Sequence, residues 1–191
     1  MKKWVALFLS VMLFLSLTCC DKAVVWNGKT EELAALLMVE DVSDRSRYVG
    51  MVDYVFVGTV EEIIQTVLPN RSRKHEDNYS KYKIHVDQNI KGTLTEEIEA
   101  SKMGGLKEDG TMYLVTVEMP TGIMIRDTGL PELGKQYIFL AYAQPDGSLT
   151  LSELFDNREY SEDLLKEYTD YYENEIVFER ERFVSKYAES H

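Results

Sequence analysis

The sequence contains very little cysteine and histidine, with two cysteines and three histidines in 191 residues. The cysteines, Cys19 and Cys20, are adjacent and end an apolar N-terminal run. No second cysteine pair exists to form a disulfide bond or a Cys-x-x-Cys metal site. His75, His85 and His191 are scattered, and no His-Glu-x-x-His motif is present. We therefore expect no metal site and no cofactor, and a fold held together by its core alone.

The chain is also short of positive charge. It has 21 basic against 33 acidic residues and a formal net charge of −12. The N-terminal run contains Lys2 and Lys3 and no acid, so its removal would change the charge to −14. Nucleic-acid binding needs a basic surface that displaces counterions from phosphates. We therefore expect no nucleic-acid partner and no direct adhesion to anionic lipid headgroups.

The first twenty residues are typical of a secretory leader. Lys2 and Lys3 precede an apolar run from Trp4 to Leu17 that is too short to span a membrane. The ending Leu17-Thr18-Cys19-Cys20 resembles the lipobox of bacterial lipoproteins. The resemblance implies cleavage before Cys20, diacylglyceryl and palmitate attachment to it, and a lipid anchor on the extracytoplasmic side of the cell membrane. An ordinary leader cut nearby would instead release a secreted protein.

Composition changes divide the chain into four parts. We expect a lipoprotein signal peptide over residues 1–19, a tether with a short helix over 20–51, a β-barrel over 52–158, and a C-terminal helical segment over 159–191 that packs on the barrel. Thr30, followed by two glutamates, predicts the start of the first helix. Ser161 predicts the cap of the second, whose apolar residues recur at helical spacing. That second stretch is one long helix or two helices separated near Asn174.

The region from Val52 to Asn157 is typical of β-strands. Alternating or continuous apolar patterns predict strands over Tyr54–Val60, Tyr79–Val86, Glu97–Lys102, Met112–Glu118, Gln136–Gln144 and Leu149–Leu154. The first and fifth are apolar throughout and should be covered on both faces. Strands joined by turns without intervening helices predict a mainly β fold, either a small closed barrel or a sandwich.

Four stretches of this region resemble the netrin-like domain, the OB-type barrel of tissue inhibitors of metalloproteinases. They are Asp53–Val60, Tyr82–Val86 with Asn89–Gly92, Leu133–Leu140, and Asp146–Gly147 with Leu149–Leu151. The resemblance implies an OB-type closed barrel. In those inhibitors an N-terminal cysteine binds the protease zinc. Cys20, the only candidate, lies 33 residues before Asp53, so zinc chelation is not carried over to it.

Carboxylates are the most abundant groups with catalytic potential. The C-terminal segment carries Glu162, Asp163, Glu167, Asp170, Glu173 and Glu175. Because they fall on a predicted helix and no calcium-loop motif is present, we interpret them as a solvated helix face. No serine lies in a nucleophile-elbow pattern, and we assign no catalytic residue. A Ser-His-Asp triad assembled in space remains open, as does an extracytoplasmic hydrolase that uses carboxylates.

Two long loops are the candidate binding surface. The loop from Leu68 to Asn78 carries a local basic patch, and the loop from Glu118 to Leu133 is apolar at its start. Loops on a rigid barrel are where binding residues concentrate. The candidate binding residues are Arg71, Arg73, Lys74, Met119, Ile123, Met124 and Ile125. They predict a non-catalytic module that binds another extracytoplasmic protein, in one version as a protease inhibitor. The alternatives are solvated connections, and a turn whose Ile and Met side chains plug the barrel end.

Overall fold

The computed structural model describes residues 24–37, 41–65, 79–107 and 109–189. Most of the regular structure in these ranges is β. The elements in chain order are β1 Thr30–Leu37, α1 Arg45–Met51, β2 Tyr54–Gln65, β3 Tyr79–Lys91, β4 Glu97–Met103, β5 Gly105–Leu106, β6 Met112–Glu118, β7 Met124–Arg126, β8 Gln136–Ala143, β9 Leu149–Leu151 and α2 Glu162–Glu173.

Five strands close into a barrel in the order β2-β3-β4-β9-β8. Its neighbouring strands are antiparallel except for β4 and β9, which run parallel with Ala100 opposite Leu149. A five-stranded barrel with one such crossover is the OB type. The predicted fold class is confirmed. It is a mainly β protein with a small OB-type closed barrel, and one helix precedes the barrel in sequence while another follows it.

A second sheet lies outside the barrel and is centred on β6. β1 pairs with β6 in parallel, while β5 and β7 pair with it in antiparallel fashion. The strand over Met112–Glu118 was predicted with these bounds, but its expected place among the barrel strands is wrong. Nothing in the strand's own pattern distinguishes the two sheets, because partner choice depends on residues distant in sequence.

The predicted helix beginning at Thr30 is also wrong, since Thr30–Leu37 is the strand β1. Its backbone pairs with β6, from Thr30 opposite Met112 to Leu37 opposite Glu118, with a register shift between Glu32 and Ala35. Ala and Leu favour helices, but tertiary pairing overrides such weak preferences. The helix that does precede the barrel is α1, whose N-cap Asp44 accepts a hydrogen bond from the Ser46 backbone N–H at 3.0 Å.

Two hydrophobic cores explain why β2 and β8 are apolar on both faces. Phe56 and Phe139 point into the barrel, where their rings stack with centroids 5.4 Å apart. Val55 and Val57 point outward into a second core formed with β6, α1 and α2. The predicted burial of both faces is therefore confirmed. Strand β3 has only one covered face, and its buried Tyr82, Ile84 and Val86 alternate with more exposed residues, as its pattern predicts.

The C-terminal segment is only half helical. Ser161 caps α2 by accepting a hydrogen bond from the Leu164 backbone N–H at 3.2 Å, as predicted, and α2 ends at Glu173. The expected helix over the later residues is wrong. Residues 175–189, which we call the C-terminal strap, follow an irregular path across the end of the barrel. Phe183, Tyr187 and Ala188 of the strap pack against the barrel core.

Backbone and arginine hydrogen bonds explain the course of the strap. Its backbone N–H groups donate to the carbonyl oxygens of Ser46 and Gly147, and one of its carbonyl oxygens accepts a hydrogen bond from the Thr95 backbone N–H. The Arg182 guanidinium donates to the carbonyl oxygens of Gly50 and Val52. These bonds to distant segments replace the bonds that a helix would make within itself. In the described part of the chain, no helix has the length and apolar character required to cross a membrane.

Candidate functional site

The apolar candidate residues lie on a tight hairpin between β6 and β7. We call residues 119–125 the β6–β7 hairpin tip. The Met119 backbone N–H donates to the Ile123 carbonyl oxygen at 2.8 Å, and Gly122 N–H donates to Met119 at 2.8 Å. Gly122 has a φ of +78°, a conformation that glycine adopts without steric cost. Short backbone bonds therefore hold the tip in one shape.

The four candidate side chains of this tip divide into two pairs. Met119 is 1% exposed and belongs to the second core, and Ile125 packs partly against that core. Ile123 and Met124 are 59% and 50% exposed. The interpretation that these Ile and Met side chains plug the barrel end is wrong, because none of the four belongs to the barrel core. Met119 instead fills the second core. The contact-surface interpretation of the exposed Ile123 and Met124 stays a prediction.

The surroundings of the tip are charged and exposed. Arg126, just after Met124 and Ile125, pairs with Glu32 of β1 at 3.9 Å, and both side chains are about half exposed. Glu118 before the tip is exposed as well. An apolar centre with a polar rim is the composition that protein-binding surfaces show. The flexible thioether of Met124 can adapt to differently shaped partners.

The basic candidates Arg71, Arg73 and Lys74 lie outside the described residues, as do His75 and His191. The described chain reaches this stretch through the end of β2, where Ile63 and Ile64 are exposed. The basic patch therefore stays a prediction.

The barrel surface carries a cluster that the sequence reasoning missed. Glu61, His85 and Glu97 bring potential ligand atoms within 4.8 Å of one another. Strand register explains this, since His85 of β3 lies opposite Glu97 of β4. A hydrogen bond to Glu97 is the main cause of the raised pKa of His85. However, the Lys83 ammonium already bridges Glu61 and Glu97 at 2.8 and 2.5 Å, so it supplies the cation there.

An open groove of about 520 Å³ lies between the barrel end and the C-terminal strap. Four of the charged side chains that line it form two pairs. Lys91 contacts Glu175, and Arg182 pairs with Asp53 at 3.1 Å. Tyr172 adds an aromatic wall. These ion pairs hold the strap in place and satisfy four of the charged side chains that line the groove.

A buried cluster of ionisable groups lies where the barrel meets the second sheet. The Lys102 ammonium contacts the Asp127 carboxylate, and both side chains are 0% exposed. Burial raises the pKa of Asp127 and also that of Glu153, whose charge is coupled to both. Sequence reasoning missed this cluster, although strand parity signals it. Ile98 and Ala100 face the core on β4, and Lys102 is next in the same row.

Two carboxylates with raised pKa values are a mark of acid–base chemistry, the hydrolase alternative. Here the cavity beside Asp127 measures about 90 Å³. Substrate pockets are typically about 300 Å³ or larger. The cavity beside Asp127 is therefore smaller than a typical substrate pocket.

The carboxylates of the C-terminal segment mostly have partners within the chain. Glu167 receives two hydrogen bonds from Arg158 at 3.0 Å, and Glu162 accepts one from the Tyr160 hydroxyl. Asp163 is almost fully exposed beside Lys166. Five of the six lie on α2, Glu175 lies beyond its end, and no two of them share one of the described cavities.

In comparisons with known proteins, no family model and no curated protein matches this chain.

Proposed function

We propose that the protein is a non-catalytic binding module that contacts another extracytoplasmic protein while a lipid on Cys20 anchors it to the cell membrane. The observation that carries this proposal is the exposure of Ile123 and Met124 on the hydrogen-bonded β6–β7 hairpin tip. Two adjacent large apolar side chains on a hydrogen-bonded hairpin lose little backbone entropy when they bind. Apolar side chains that fill a pocket of the partner supply much of the affinity of protein interfaces.

The charge of the chain supports an electrostatic contribution to the same contact. Arg71, Arg73 and Lys74 form a basic sequence patch on a strongly acidic protein. A patch of this kind steers an acidic partner and accelerates its capture. Replacing all three by alanine should slow partner association at low salt and have less effect at high salt.

We propose further that the barrel is netrin-like. In support, the four resembling stretches fall on or beside barrel strands in the family's order, from Asp53–Val60 at β2 to Leu149–Leu151 at β9. One version of the binding function is protease inhibition by a route that does not use the Cys20 amine. The fold by itself does not decide this, since one fold hosts many functions.

Site-specific photocrosslinking from the cell surface tests the binding function. A photoreactive amino acid at Ile123 or Met124 should capture one protein in both cases. The matched control is Val184, an exposed apolar residue on the C-terminal strap. Capture of the same set of proteins from all three positions, or of none from the tip, would contradict the proposal.

A further inference from the structure

The buried pair of Lys102 and Asp127 has the geometry of a reaction site rather than of a surface ion pair. Lys102 is the last core-facing residue of β4, and Asp127 directly follows β7. Their side chains are in contact and completely buried. Removing two charges from water is costly, and their attraction repays this cost only with good geometry. A chemical step that eliminates both charges would remove the cost.

The Asp127 carboxyl group is held in one orientation. Its Oδ1 accepts a hydrogen bond from the Phe155 backbone N–H at 3.0 Å, and its Oδ2 contacts the Lys102 Nζ. The Asp127 backbone N–H donates to the Val115 carbonyl oxygen at 2.9 Å. One carboxyl oxygen is thus fixed by the backbone while the other faces the amine.

The Lys102 amine is equally constrained. Nζ lies 5.9 Å from the centre of the Phe155 ring and donates a hydrogen bond to the Glu153 carbonyl oxygen at 3.3 Å. The apolar wall keeps bulk water away. Burial raises the pKa of the Asp127 carboxyl group. One proton transfer across the contact would yield the neutral amine and carboxylic acid. That neutral pair is the reactive form for amide formation.

We propose that Lys102 and Asp127 join in an intramolecular isopeptide bond. The Nζ lone pair attacks Cγ of Asp127 and forms the new C–N bond. The bond from Cγ to Oδ2 then breaks, and Oδ2 leaves as water with two protons that came from the ammonium group. The sum is ammonium plus carboxylate giving amide plus water, with no oxidant, metal or other reactant.

Glu153 fits the role of a proton shuttle for this step. Its backbone carbonyl oxygen accepts a hydrogen bond from Lys102 Nζ at 3.3 Å, so its partly buried carboxyl group belongs to the residue directly beside the reacting amine. It can take a proton from Nζ during attack, give it to the departing Oδ2 and return unchanged. Holding reacting groups together in one orientation lowers the barrier for such a condensation.

The surroundings of the pair also suit the product. In the amide, Oδ1 becomes the carbonyl oxygen and keeps the hydrogen bond from the Phe155 N–H. The amide N–H can keep its bond to the Glu153 carbonyl oxygen. Both polar atoms of the buried product therefore have partners, as buried polar atoms require. The bond would tie the barrel strand β4 to the second sheet in a chain without a disulfide framework.

Peptide mapping of the full-length protein tests the proposal. Trypsin does not cleave after a lysine whose amine is acylated. The linked protein should yield residues 92–107 joined to residues 127–135 as one branched peptide, lighter by one water than the two peptides together. Fragmentation should locate the link at Lys102 and Asp127. Recovery of separate peptides 92–102 and 127–135 from folded, aged protein would overturn the proposal.

Four variants assign the roles. Lys102→Arg keeps the charge but should abolish the branched peptide. Lys91→Arg alters a more exposed Lys–Glu contact and should leave the branched peptide unchanged. Glu153→Gln should slow formation of the link at least tenfold in freshly refolded protein, with partial rescue by Glu153→Asp. An unaltered rate in Glu153→Gln would overturn the shuttle role. If Lys102→Arg does not fold, the wild-type peptide map still decides whether the bond exists.

Discussion

The carboxylate of Asp53 and the guanidinium of Arg182 pair at 3.1 Å although they lie 129 positions apart in sequence. Asp53 also pairs with Arg180 at 2.7 Å and accepts a hydrogen bond from the Ala143 backbone N–H at 3.0 Å. One almost buried carboxylate therefore joins the start of β2, the end of β8 and the C-terminal strap.

Arg182→Ala should loosen the strap. The loss removes hydrogen bonds to the Gly50 and Val52 carbonyls as well as the ion pair. Because Arg182 is partly exposed, we expect a loss of about 1–2 kcal/mol in unfolding free energy, measured by urea denaturation. Amide exchange over residues 175–189 should accelerate. The control Lys166→Ala removes an exposed pair and should change stability by less than about 0.5 kcal/mol.

Gly50→Ala should displace the strap by a steric route. A Cβ atom at Gly50 would collide with the backbone carbonyl group of Ile176. Backbone atoms cannot move aside as the end of a flexible side chain can. We expect destabilisation of about 1–3 kcal/mol in thermal or urea unfolding. Gly129→Ala is the matched control, because its nearest contact would be an ordinary 3.7 Å from Asn157. Equal effects of the two substitutions would contradict the close contact at Gly50.

Asp156 should contribute a pH-dependent part of the stability. Burial alone would raise the pKa of its carboxyl group, but hydrogen bonds from Arg158 and Tyr168 outweigh it and the pKa is lowered. A lowered folded-state pKa gives stability that is present above the unfolded-state pKa, about 3.9 for aspartate, and is lost as pH falls through the folded-state value. Asp156→Asn should therefore destabilise the protein at pH 7, and its deficit should shrink below about pH 4.

The control for this pH dependence is Asp163→Asn, because Asp163 is almost fully exposed. It should change the unfolding free energy by less than about 0.5 kcal/mol. If the difference between wild type and Asp156→Asn stayed constant from neutral to acid pH, the hydrogen bonds would not be acting through the carboxylate charge.

Cys20→Ala tests the lipid anchor. In cells fed a fatty-acid analogue, the wild-type protein should be labelled and should sediment with membranes, and the variant should show neither. Cys19→Ala is the control, since the lipobox resemblance assigns the lipid to Cys20. Membrane retention and labelling that survive in Cys20→Ala would contradict the anchor.

Local patterns predicted the barrel strands because those strands have strong local signals. The alternation around Ile84 and the two apolar faces of β2 and β8 can be read directly from neighbouring residues. Long-range pairing could not be read in this way. Thr30–Leu37 has helix-forming residues, and only its partner β6 makes it a strand.

The candidate site shows the same difference between what local patterns predict and what depends on long-range packing. Sequence composition identified the β6–β7 hairpin tip, but not that Met119 would be buried while Ile123 and Met124 are exposed. That division depends on how the second sheet packs against the barrel. The Lys102–Asp127 contact joins the barrel strand β4 to a residue 25 positions later that directly follows β7. The alternation of side chains along β4 places Lys102 on the buried face of the strand, but no local sequence signal identifies its partner.

The position of β1 limits how far the protein can reach from a membrane. The Asn27 backbone N–H already donates to the Gly110 carbonyl oxygen at 3.0 Å, three residues before β1 begins. Only seven residue steps separate Asn27 from Cys20. A segment of this length spans at most about 25 Å in any conformation. A lipid on Cys20 would keep the domain within roughly its own diameter of the headgroups, and a protein that binds the β6–β7 hairpin tip would then have to approach the bilayer surface.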